Sequence, residues 1–188
     1  TETLLDGALE DKELAYQWLR IISQEANRLE KLISDLADIS MIEAQQFEFQ
    51  REAVDLASLV RHAIDVLHIS AVKHAIEISF TCPKDLPLMM LDPGRISQVI
   101  LNLLDNAIKY SAGHSTVEVI IKQPSASVVE LEVHDHGPGI PESKLPYIFE
   151  RFYRGGTDRD VYGRGLGLAI VKCIAEAHGG QVSVHSVV

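Results

Sequence analysis

Two asparagines four residues apart, Asn102 and Asn106, are the first side chains in this chain whose types and spacing could do chemistry. In a helix this spacing places both amides on one face, with Gln98 one turn earlier on the same face. Amide oxygens are hard ligands that Mg²⁺ accepts together with water and phosphate oxygens. We therefore predict that Asn102 and Asn106 hold Mg²⁺ and that Lys109 reaches phosphate. A solvated polar face is the alternative, and Asp105 is a competing ligand that lies off this stripe.

The second set of residues is Asp135 with the glycines that follow it, Gly137 and Gly139. A carboxylate directly after a strand can accept a hydrogen bond from an exocyclic amine such as that of adenine, and glycines let the backbone approach the ring. An ordinary turn would have the same composition. His134 and His136 flank Asp135 and share one strand face, so a metal site is a further alternative, although no third ligand is evident.

The third set is the segment 163–168, which reads Gly-Arg-Gly-Leu-Gly-Leu and opens a predicted helix. Free backbone N–H groups and the helix dipole at such a start suit a phosphate chain. The segment is neither a Walker loop nor a dinucleotide fingerprint, because no Gly-Lys follows and no parallel-strand context precedes it. Upstream, residues 149–154 supply an aromatic anchor, and the polar segment 155–163 has the layout of a lid over bound nucleotide or of a plain surface loop.

Composition and charge exclude several classes of protein. The chain has 188 residues, 46% of them hydrophobic and 23% charged, which favours a packed core over disorder. Its formal net charge of -10 argues against a nucleic-acid-binding face. Cys82 and Cys173 lie far apart and form no C-x-x-C pair, so a reduced compartment is favoured over a disulfide framework.

The two ends of the chain look interrupted. The first residues read as the middle of a helix, and residues 182–188 stop inside strand-like sequence. No apolar run approaches the length of a membrane span, and no signal peptide opens the chain. We therefore expect a fragment cut at both ends.

Residues 12–42 predict a long amphipathic helix with a coiled-coil type of seam. Apolar residues recur at alternating spacings of four and three, which is typical of helices that meet in a dimerising bundle, and Glu25 interrupts them with a charge. An ordinary core-facing helix is the alternative. The seam residues are Trp18, Ile22, Glu25, Leu29, Leu32, Leu36 and Ile39.

The rest of the chain predicts alternating strands and helices, with one hairpin that requires antiparallel pairing. This pattern indicates an α+β fold, a two-layer α/β sandwich with a mixed and largely antiparallel sheet. Asp55 and Asp92 are predicted N-caps, the second followed by proline at the first helical position. The predicted elements are a strand at 47–53, a helix from Asp55, a strand at 76–80, a helix from Asp92 to about Tyr110, a hairpin at 116–121 and 128–133, a helix from near Gly165 to Gly179–Gly180, and a strand from Val182 to His185.

Together these segments closely resemble the catalytic ATP-binding domain of bacterial sensor histidine kinases, of the GHKL superfamily with its Bergerat fold. The resemblance covers residues 47–188. Residues 1–46 resemble the end of the first helix and all of the second helix of the dimerisation and histidine-phosphotransfer bundle. The motifs follow in the family's order: an N box at Gln98–Tyr110, a G1 box at Asp135–Gly139, an F box at Phe149–Tyr153, a G2 box at Gly163–Leu168, and the stretch His178–Val184.

The resemblance implies roles for individual residues. Asn106 would coordinate Mg²⁺ with support from Asn102, Tyr110 would pack against the purine, and Asp135 would bind the adenine amine. The implied catalytic residues are Asn106, Lys109, Arg151 and Gln98, with Lys109 and Arg151 facing phosphate. The implied ATP-binding residues are Asn102, Asn106, Tyr110, Asp135, Gly137, Gly139, Ile140, Phe149, Tyr153, Arg154, Gly163, Arg164, Gly165, Leu166, Gly167 and Leu168.

The resemblance also implies a reaction and partners. A kinase of this family transfers the ATP γ-phosphoryl group to a histidine on the bundle, which is a homodimer in the full-length protein, and then to an aspartate of a response-regulator receiver domain. ATP and Mg²⁺ are the implied cofactors. The domain would be a cytoplasmic part of a membrane-bound sensor protein.

Two departures from the family's pattern limit what we expect of this chain. No His-Glu-x-x-Thr/Ser-Pro phosphoacceptor motif occurs among the eight histidines, all at or after His62, and the usual final Gly-x-Gly-Thr strand is missing. We therefore expect ATP binding without phosphorylation of the usual histidine.

Three alternatives remain open. A serine kinase of the anti-sigma type would lack the preceding bundle helix. A GHKL ATPase of the gyrase or chaperone type would be expected to carry a glutamate base on the N-box helix, where this chain has Gln98. A nucleotide-sensing dimerisation module without catalytic activity would bind ATP and transfer nothing.

Overall fold

Helices and short strands alternate along the chain in the computed structural model, which describes residues 12–43, 48–153 and 165–188. The order begins with the long helix that the seam predicts. The elements are α1 (Lys12–Glu43), β1 (Glu52–Val54), α2 (Leu56–Lys73), β2 (Glu77–Thr81), β3 (Met89–Leu91), α3 (Pro93–Tyr110), β4 (Thr116–Ser125), β5 (Val128–His134), a 3₁₀ turn (Leu145–Tyr147) and α4 (Gly167–Ala177).

The strands form two sheets in the described part of the chain. β1 and β3 pair antiparallel in a two-stranded sheet, with Glu52 opposite Leu91. The larger sheet has the order β2-β4-β5, in which β2 and β4 are parallel while β4 and β5 form the predicted antiparallel hairpin. The prediction of a mixed sheet is confirmed.

Both predicted N-caps hold the starts of their helices. The Asp55 carboxylate accepts hydrogen bonds from the backbone N–H groups of Ala57 and Ser58 at 2.9 and 3.3 Å. Asp92 Oδ1 accepts from the N–H of Arg95 at 3.0 Å, and Pro93 occupies the first turn of α3. These bonds satisfy donors that a helix start leaves without intrahelical partners.

The main hydrophobic core lies between the three-stranded sheet and the helices α2 and α3. β4 directs alternate side chains, Val117, Val119 and Ile121, into this core, where they meet Ile100 and Leu104 of α3. None of these five exposes more than 2% of its surface. Burying one such side chain stabilises the fold by roughly 1.5–3 kcal/mol. One layer of helices on one layer of sheet is the two-layer α+β sandwich predicted above.

A second core joins α3 to α4 and reaches α1. Val99 of α3 packs with Ile170 and Ile174 of α4 and with Leu166 just before it. Leu32 of α1 lies half-buried against the same cluster. The long helix therefore packs on the domain beside α3 and α4.

Among the described residues, most of the predicted seam on α1 is exposed. Trp18 is half-buried, Glu25 is exposed, and the side chain of Ile39 lies outside the described residues. An uncovered apolar stripe of this kind is typical of a helix that packs against another helix. The seam residues with the largest exposure are Ile22 at 36%, Leu36 at 41% and Leu29 at 58%. Among the described helices, none is both long and apolar enough to cross a membrane.

Two strand predictions need correction, and one strand was missed. The strand predicted at 47–53 is only β1, Glu52–Val54, because β3 offers it three residues of ladder; Phe47 lies outside the described residues. β3 was not predicted at all. The strand predicted at Val182–His185 is absent, since residues 181–188 form no ladder with another strand. This segment is held instead by the hydroxyl of Ser186, which accepts a hydrogen bond from the N–H of Ile140 at 2.8 Å.

The last helix starts two residues later than predicted. Gly165 has a φ of +68°, a left-handed conformation that an α-helix cannot include, so α4 begins at Gly167. The predicted C-terminal end is close to the observed one. Gly179 has a φ of +81°, and the N–H of Gly180 donates to the carbonyl of Ala175 at 2.9 Å, which closes the helix after Ala177.

We expect Asp55→Ala to lower the free energy of unfolding by about 1 kcal/mol, because the start of α2 loses its cap. The Ser58 hydroxyl, which donates to Asp55 at 2.6 Å, and the capped amides hold the pKa of Asp55 below its usual value of 3.8. A lowered folded-state pKa gives stability that is present above the unfolded-state pKa and is lost as the pH falls through the folded-state pKa. Asp55→Asn, which caps without titrating, should keep the stability at pH 7. Urea unfolding at pH 7 and pH 3 measures both effects; equal pH dependence in wild type and Asp55→Asn would contradict the assignment.

Candidate functional site

The two predicted amide ligands on α3 face the first residue of α4. A Cβ atom built at Gly167 would lie 3.7 Å from Cγ and Oδ1 of Asn102 and 3.8 Å from Nδ2 of Asn106. Both asparagines are half-buried, and Nδ2 of Asn102 is buried without a hydrogen-bond partner. A buried amide donor without an acceptor destabilises the folded protein. An oxygen atom of a ligand that accepted from Asn102 would remove this cost.

The start of α4 exposes backbone donors rather than side-chain caps. Leu166 occupies the N-cap position and makes no side-chain capping bond, which leaves the first N–H groups of the helix for another acceptor. The Leu166 side chain is 1% exposed and belongs to the second core, so only its backbone could contact a ligand. Leu168 is half-buried. An uncapped helix start with a positive dipole end beside two amides suits an anion.

The predicted F box and G2 box meet at one backbone joint. The N–H of Phe152 donates to the carbonyl of Gly165 at 2.8 Å. A Cβ atom at Gly165 would lie 2.6 Å from the carbonyl oxygen of Tyr153, so only glycine fits this contact in its left-handed conformation. Phe152 itself has a φ of +61°, a strained value for a bulky residue. This joint fixes where the chain leaves and re-enters the site.

Asp135 and Gly137 lie beside the C-terminal end of α3. Oδ1 of Asp135 accepts a hydrogen bond from the N–H of Gly137 at 2.9 Å, and the carboxylate is exposed. A Cβ atom at Gly137 would lie 2.7 Å from the carbonyl oxygen of Tyr110, so a side chain there would collide with the helix end. Tyr110 is 48% exposed. The second predicted motif therefore adjoins the first.

Gly139 and Ile140 contact the last residues of the chain. A Cβ atom at Gly139 would lie 2.2 Å from the carbonyl oxygen of Val187, so the backbones touch there. Ile140 donates its N–H to Ser186 Oγ, as described above. Val187 is 83% exposed, so its main chain makes this contact while its side chain faces solvent. This contact fixes the exit of the Asp135 loop.

The aromatic residues of the F box follow this loop along the chain. Phe149 and Tyr153 are half-buried, and the ring centroids of Tyr147 and Tyr153 are 5.8 Å apart. Arg151, between them, is exposed. Arg154, Gly163 and Arg164, with the lid predicted at 155–163, lie outside the described residues.

The two remaining predicted catalytic residues on α3 have protein partners. Lys109 forms an ion pair with Asp105, one turn earlier, and both side chains are about one third exposed. Oε1 of Gln98 accepts a hydrogen bond from Nη1 of Arg95 at 3.0 Å. Asp105 therefore neutralises the local positive charge of Lys109, which the sequence did not predict.

The two histidines that flank Asp135 have separate partners. His136 Nδ1 contacts the carbonyl of Thr116 at 2.9 Å. His134 pairs with Glu132, whose pKa is held below its usual value first by the hydrogen bond from Lys122 and then by that from His134. Within the described ranges, no three side chains of His, Cys, Asp or Glu come together as a metal site. An apolar groove of about 500 Å³ lies elsewhere, between α2 and β2, and contains none of the predicted site residues.

A junction at the opposite end of α3 escaped sequence reasoning. Asp92 caps α3 with one carboxylate oxygen and accepts the N–H of Gln50 with the other, at 3.0 Å. The N–H of Asp92 in turn donates to Nε2 of His178 at 3.1 Å. The sequence predicts the capping role of Asp92. It does not predict the bonds to Gln50 and His178, because partners 42 and 86 residues away leave no local pattern.

Comparisons with known proteins identify the family of the chain. The family described as histidine kinase-, DNA gyrase B-, and HSP90-like ATPase matches residues 91–188, which include α3, the Asp135 loop and α4. The chain belongs to this family. It is also 36% identical over 191 residues to the sensor protein kinase WalK of Staphylococcus aureus, and the match covers 99% of this chain and 45% of that protein. The chain thus spans less than half the length of this curated relative.

Solved structures of the family have the same fold. A full-length ShkA structure in complex with AMPPNP is 30% identical with a TM-score of 0.75, covering 87% of this chain and 34% of ShkA. The histidine kinase ThkA in complex with the response regulator TrrA is 24% identical with a TM-score of 0.67, covering 90% of this chain and 46% of ThkA, and this likeness concerns the fold alone. The chain therefore carries the ATP-binding catalytic domain found in sensor histidine kinases.

We expect Gly167→Ala to weaken ATP binding by at least about tenfold without loss of stability. The added methyl would stand 3.7–3.8 Å from Asn102 and Asn106, which is ordinary contact for the protein but fills the space of a ligand. Alanine also favours the helix by up to about 1 kcal/mol. Titration calorimetry with ATP and Mg²⁺, together with thermal unfolding, separates the two effects.

The matched control is Gly94→Ala, the same change near the start of α3, where the nearest atom would be Asp92 Oδ1 at 3.5 Å. It should leave affinity unchanged. Wild-type affinity in Gly167→Ala would contradict the location of the phosphate site.

Proposed function

We propose that this chain binds Mg-ATP between α3 and α4 and serves the kinase reaction of a two-component sensor. The observation that carries the proposal is the approach of Gly167 to Asn102 and Asn106. It brings two amide side chains and an uncapped helix start to one point. Phosphate oxygens would accept from the first N–H groups of α4 and complete the hydrogen bonding of Asn102.

The donor set fits a magnesium ion shared with phosphate. Asn106 would supply an amide oxygen and Asn102 would support it, while phosphates and water would fill the other positions that Mg²⁺ requires. When bound, Mg²⁺ supplies charge neutralisation for the phosphate chain.

The Asp135 loop supplies the base-binding end of the proposed site. Gly137 already uses Oδ1 of Asp135, which orients the carboxylate and leaves Oδ2 to accept from the amine of adenine. The exposed ring of Tyr110 would stack on the purine, with Phe149, Tyr153 and the loop from Gly137 to Ile140 on the other side of the site.

Lys109 and Arg151 would face the phosphates. Lys109 would exchange its contact with Asp105 for an oxygen of the phosphate chain, which carries more negative charge than a carboxylate. Arg154, Gly163, Arg164 and the lid would close over the nucleotide and exclude water. Positioning and charge neutralisation are the main contributions that a protein makes to phosphoryl transfer.

The phosphoryl acceptor would be a histidine on a helical bundle. We assign residues 1–46 to a partial bundle and residues 47–188 to the catalytic domain. The uncovered stripe on α1 supports a partner helix, and the likeness to WalK covers 99% of the chain and so includes α1. From the histidine, the phosphoryl group would pass to an aspartate of a response regulator, the kind of partner that ThkA has in its complex with TrrA.

The alternatives fit less well. A serine kinase of the anti-sigma type would lack a bundle helix before its catalytic domain, whereas this chain has the 32-residue helix α1 there. An ATPase needs a general base near the γ-phosphate, and Gln98, which accepts from Arg95, cannot take a proton. A binding module without catalysis would give nucleotide affinity without transfer, which the second experiment below detects.

We expect Asn106→Asp to reduce Mg-ATP affinity by at least about 100-fold while the protein remains folded. The added carboxylate removes the amide donor and places a negative charge beside the phosphates. Calorimetric titration with circular dichroism measures both properties. Asn27→Asp, an exposed position on α1, adds the same charge far from the site and should bind normally. Unchanged affinity in Asn106→Asp would overturn the proposed site.

We expect transfer of phosphate to a histidine when the chain is incubated with labelled ATP, Mg²⁺ and a separate helical bundle that carries a phosphoacceptor histidine. The product should be labile in acid and stable in base, unlike a phosphoserine. Asn106→Asp should abolish it. ATP binding without any labelled bundle, across bundles of related kinases, would favour the module without catalytic activity.

A further inference from the structure

The Asp92 junction ties three separate parts of the chain together. Asp92 is 9% exposed, and it joins the start of α3, the segment before β1 and the end of α4. Its carboxylate accepts the N–H groups of Arg95 and Gln50, and its own N–H donates to His178. Both carboxylate oxygens and the backbone N–H of Asp92 therefore have hydrogen-bond partners.

The hydrogen bonds of His178 define its tautomer. Nδ1 lies 2.9 Å from the carbonyl oxygen of Ile174, which can only accept, so Nδ1 carries a proton. Nε2 receives the N–H of Asp92 and must therefore be the unprotonated nitrogen of a neutral ring. No other side chain type supplies a donor and an acceptor at these two positions with the same rigidity.

The segment that follows α1 packs onto the same histidine. The ring of Phe49 contacts the His178 ring edge-on, with centroids 4.8 Å apart. Nη2 of Arg51 donates to the carbonyl of Ala177 at 2.8 Å, which satisfies an acceptor at the end of α4. Phe49 and Arg51 thus hold the C-terminal end of α4 in place.

The junction and the nucleotide site lie at opposite ends of one antiparallel helix pair. α3 begins at the junction and carries Asn102 and Asn106 toward its other end, while α4 begins at the site with Gly167 and ends at the junction. Between the two ends, apolar side chains of the second core join the helices. Apolar contacts resist separation but define axial position weakly, whereas hydrogen bonds are directional.

We propose that His178 is a positioning residue for the phosphate site, because its bond to Asp92 sets the axial position of α4 against α3. A helix advances 1.5 Å per residue, so even a fractional slide of α4 would move Gly167 relative to the two asparagines. The inference rests on the proposed function, since it assumes that phosphate binds at Gly167. His178 lies at the opposite end of the helix pair from Gly167 and is not among the predicted site residues.

The test compares two substitutions of one residue. His178→Phe keeps the ring against Phe49 and removes both hydrogen bonds, and His178→Gln keeps an oxygen that can accept from the N–H of Asp92. His178→Phe should bind Mg-ATP about tenfold more weakly, the effect of losing one net hydrogen bond, and His178→Gln should recover most of the affinity. His62→Phe, an exposed histidine on α2, is the control and should bind normally.

The titrations are made at a temperature well below all unfolding transitions, so that lost stability alone does not lower the affinity. Wild-type affinity in His178→Phe would overturn the inference. Equal weakening in His178→Phe and His178→Gln would also overturn it, because the acceptor would then be irrelevant.

Nitrogen NMR of the nucleotide-free protein gives a second readout that does not depend on ATP. His178 should appear as the neutral tautomer with the proton on Nδ1, and His178→Phe should shift the side-chain amide signals of Asn102 and Asn106. A proton on Nε2, or unmoved amide signals, would contradict the inference. If the wild-type protein bound no nucleotide while these signals behaved as expected, the proposed function would fail, and only the coupling of His178 to the amides of Asn102 and Asn106 would stand.

Discussion

Helix α3 packs into two hydrophobic cores at once, and the remaining elements are positioned by their packing against it. Ile100 and Leu104 point into the core over the sheet, and Val99 points into the core shared with α4. These two apolar faces leave one polar face, which carries Asn102 and Asn106. Because the helix is held from both sides, that face cannot rotate without exposing buried aliphatic side chains. The direction of the amides is thus a result of packing.

The second core also explains how a domain with a small sheet can hold a precise site. α4 does not touch the sheet through its buried residues; Ile170 and Ile174 pack on α3 and on one side chain of α1. The uncapped start of α4 is held by its neighbours rather than by a capping side chain. A free helix start of this type is weakly stable alone, and it persists because the rest of the helix is buried.

Local signals in the sequence were enough to predict most elements and the first ligands. Asp55 and Asp92 mark helix starts because capping is a contact within three residues, and the hairpin shows as two stretches of period two. The spacing of Asn102 and Asn106 shows their shared face for the same reason. Each of these patterns depends on neighbours along the chain, which sequence reading can see.

Contacts between distant segments could not be predicted. β3 is three residues long, too short for a period, and β1 is short because β3 is. The alternation at 182–185 predicts a strand, but a strand exists only where a partner completes the ladder. The ion pair of Lys109 with Asp105 was within reach of local reasoning, since the residues are one turn apart. The bond of Asp92 to His178 was not, because the histidine also reads as an ordinary helix end.

The contact between Gly139 and Val187 has a consequence for how this sequence can vary. Val187 contributes only main-chain atoms, and its side chain faces solvent, so many residues could replace it. At position 139 the carbonyl occupies the volume of any β-carbon, so no other amino acid can enter. Ser186 is intermediate, since any short side chain with an acceptor oxygen could serve Ile140. Tolerance to substitution is therefore unequal across a single contact. Gly139, which has no side chain, is the position that admits no replacement.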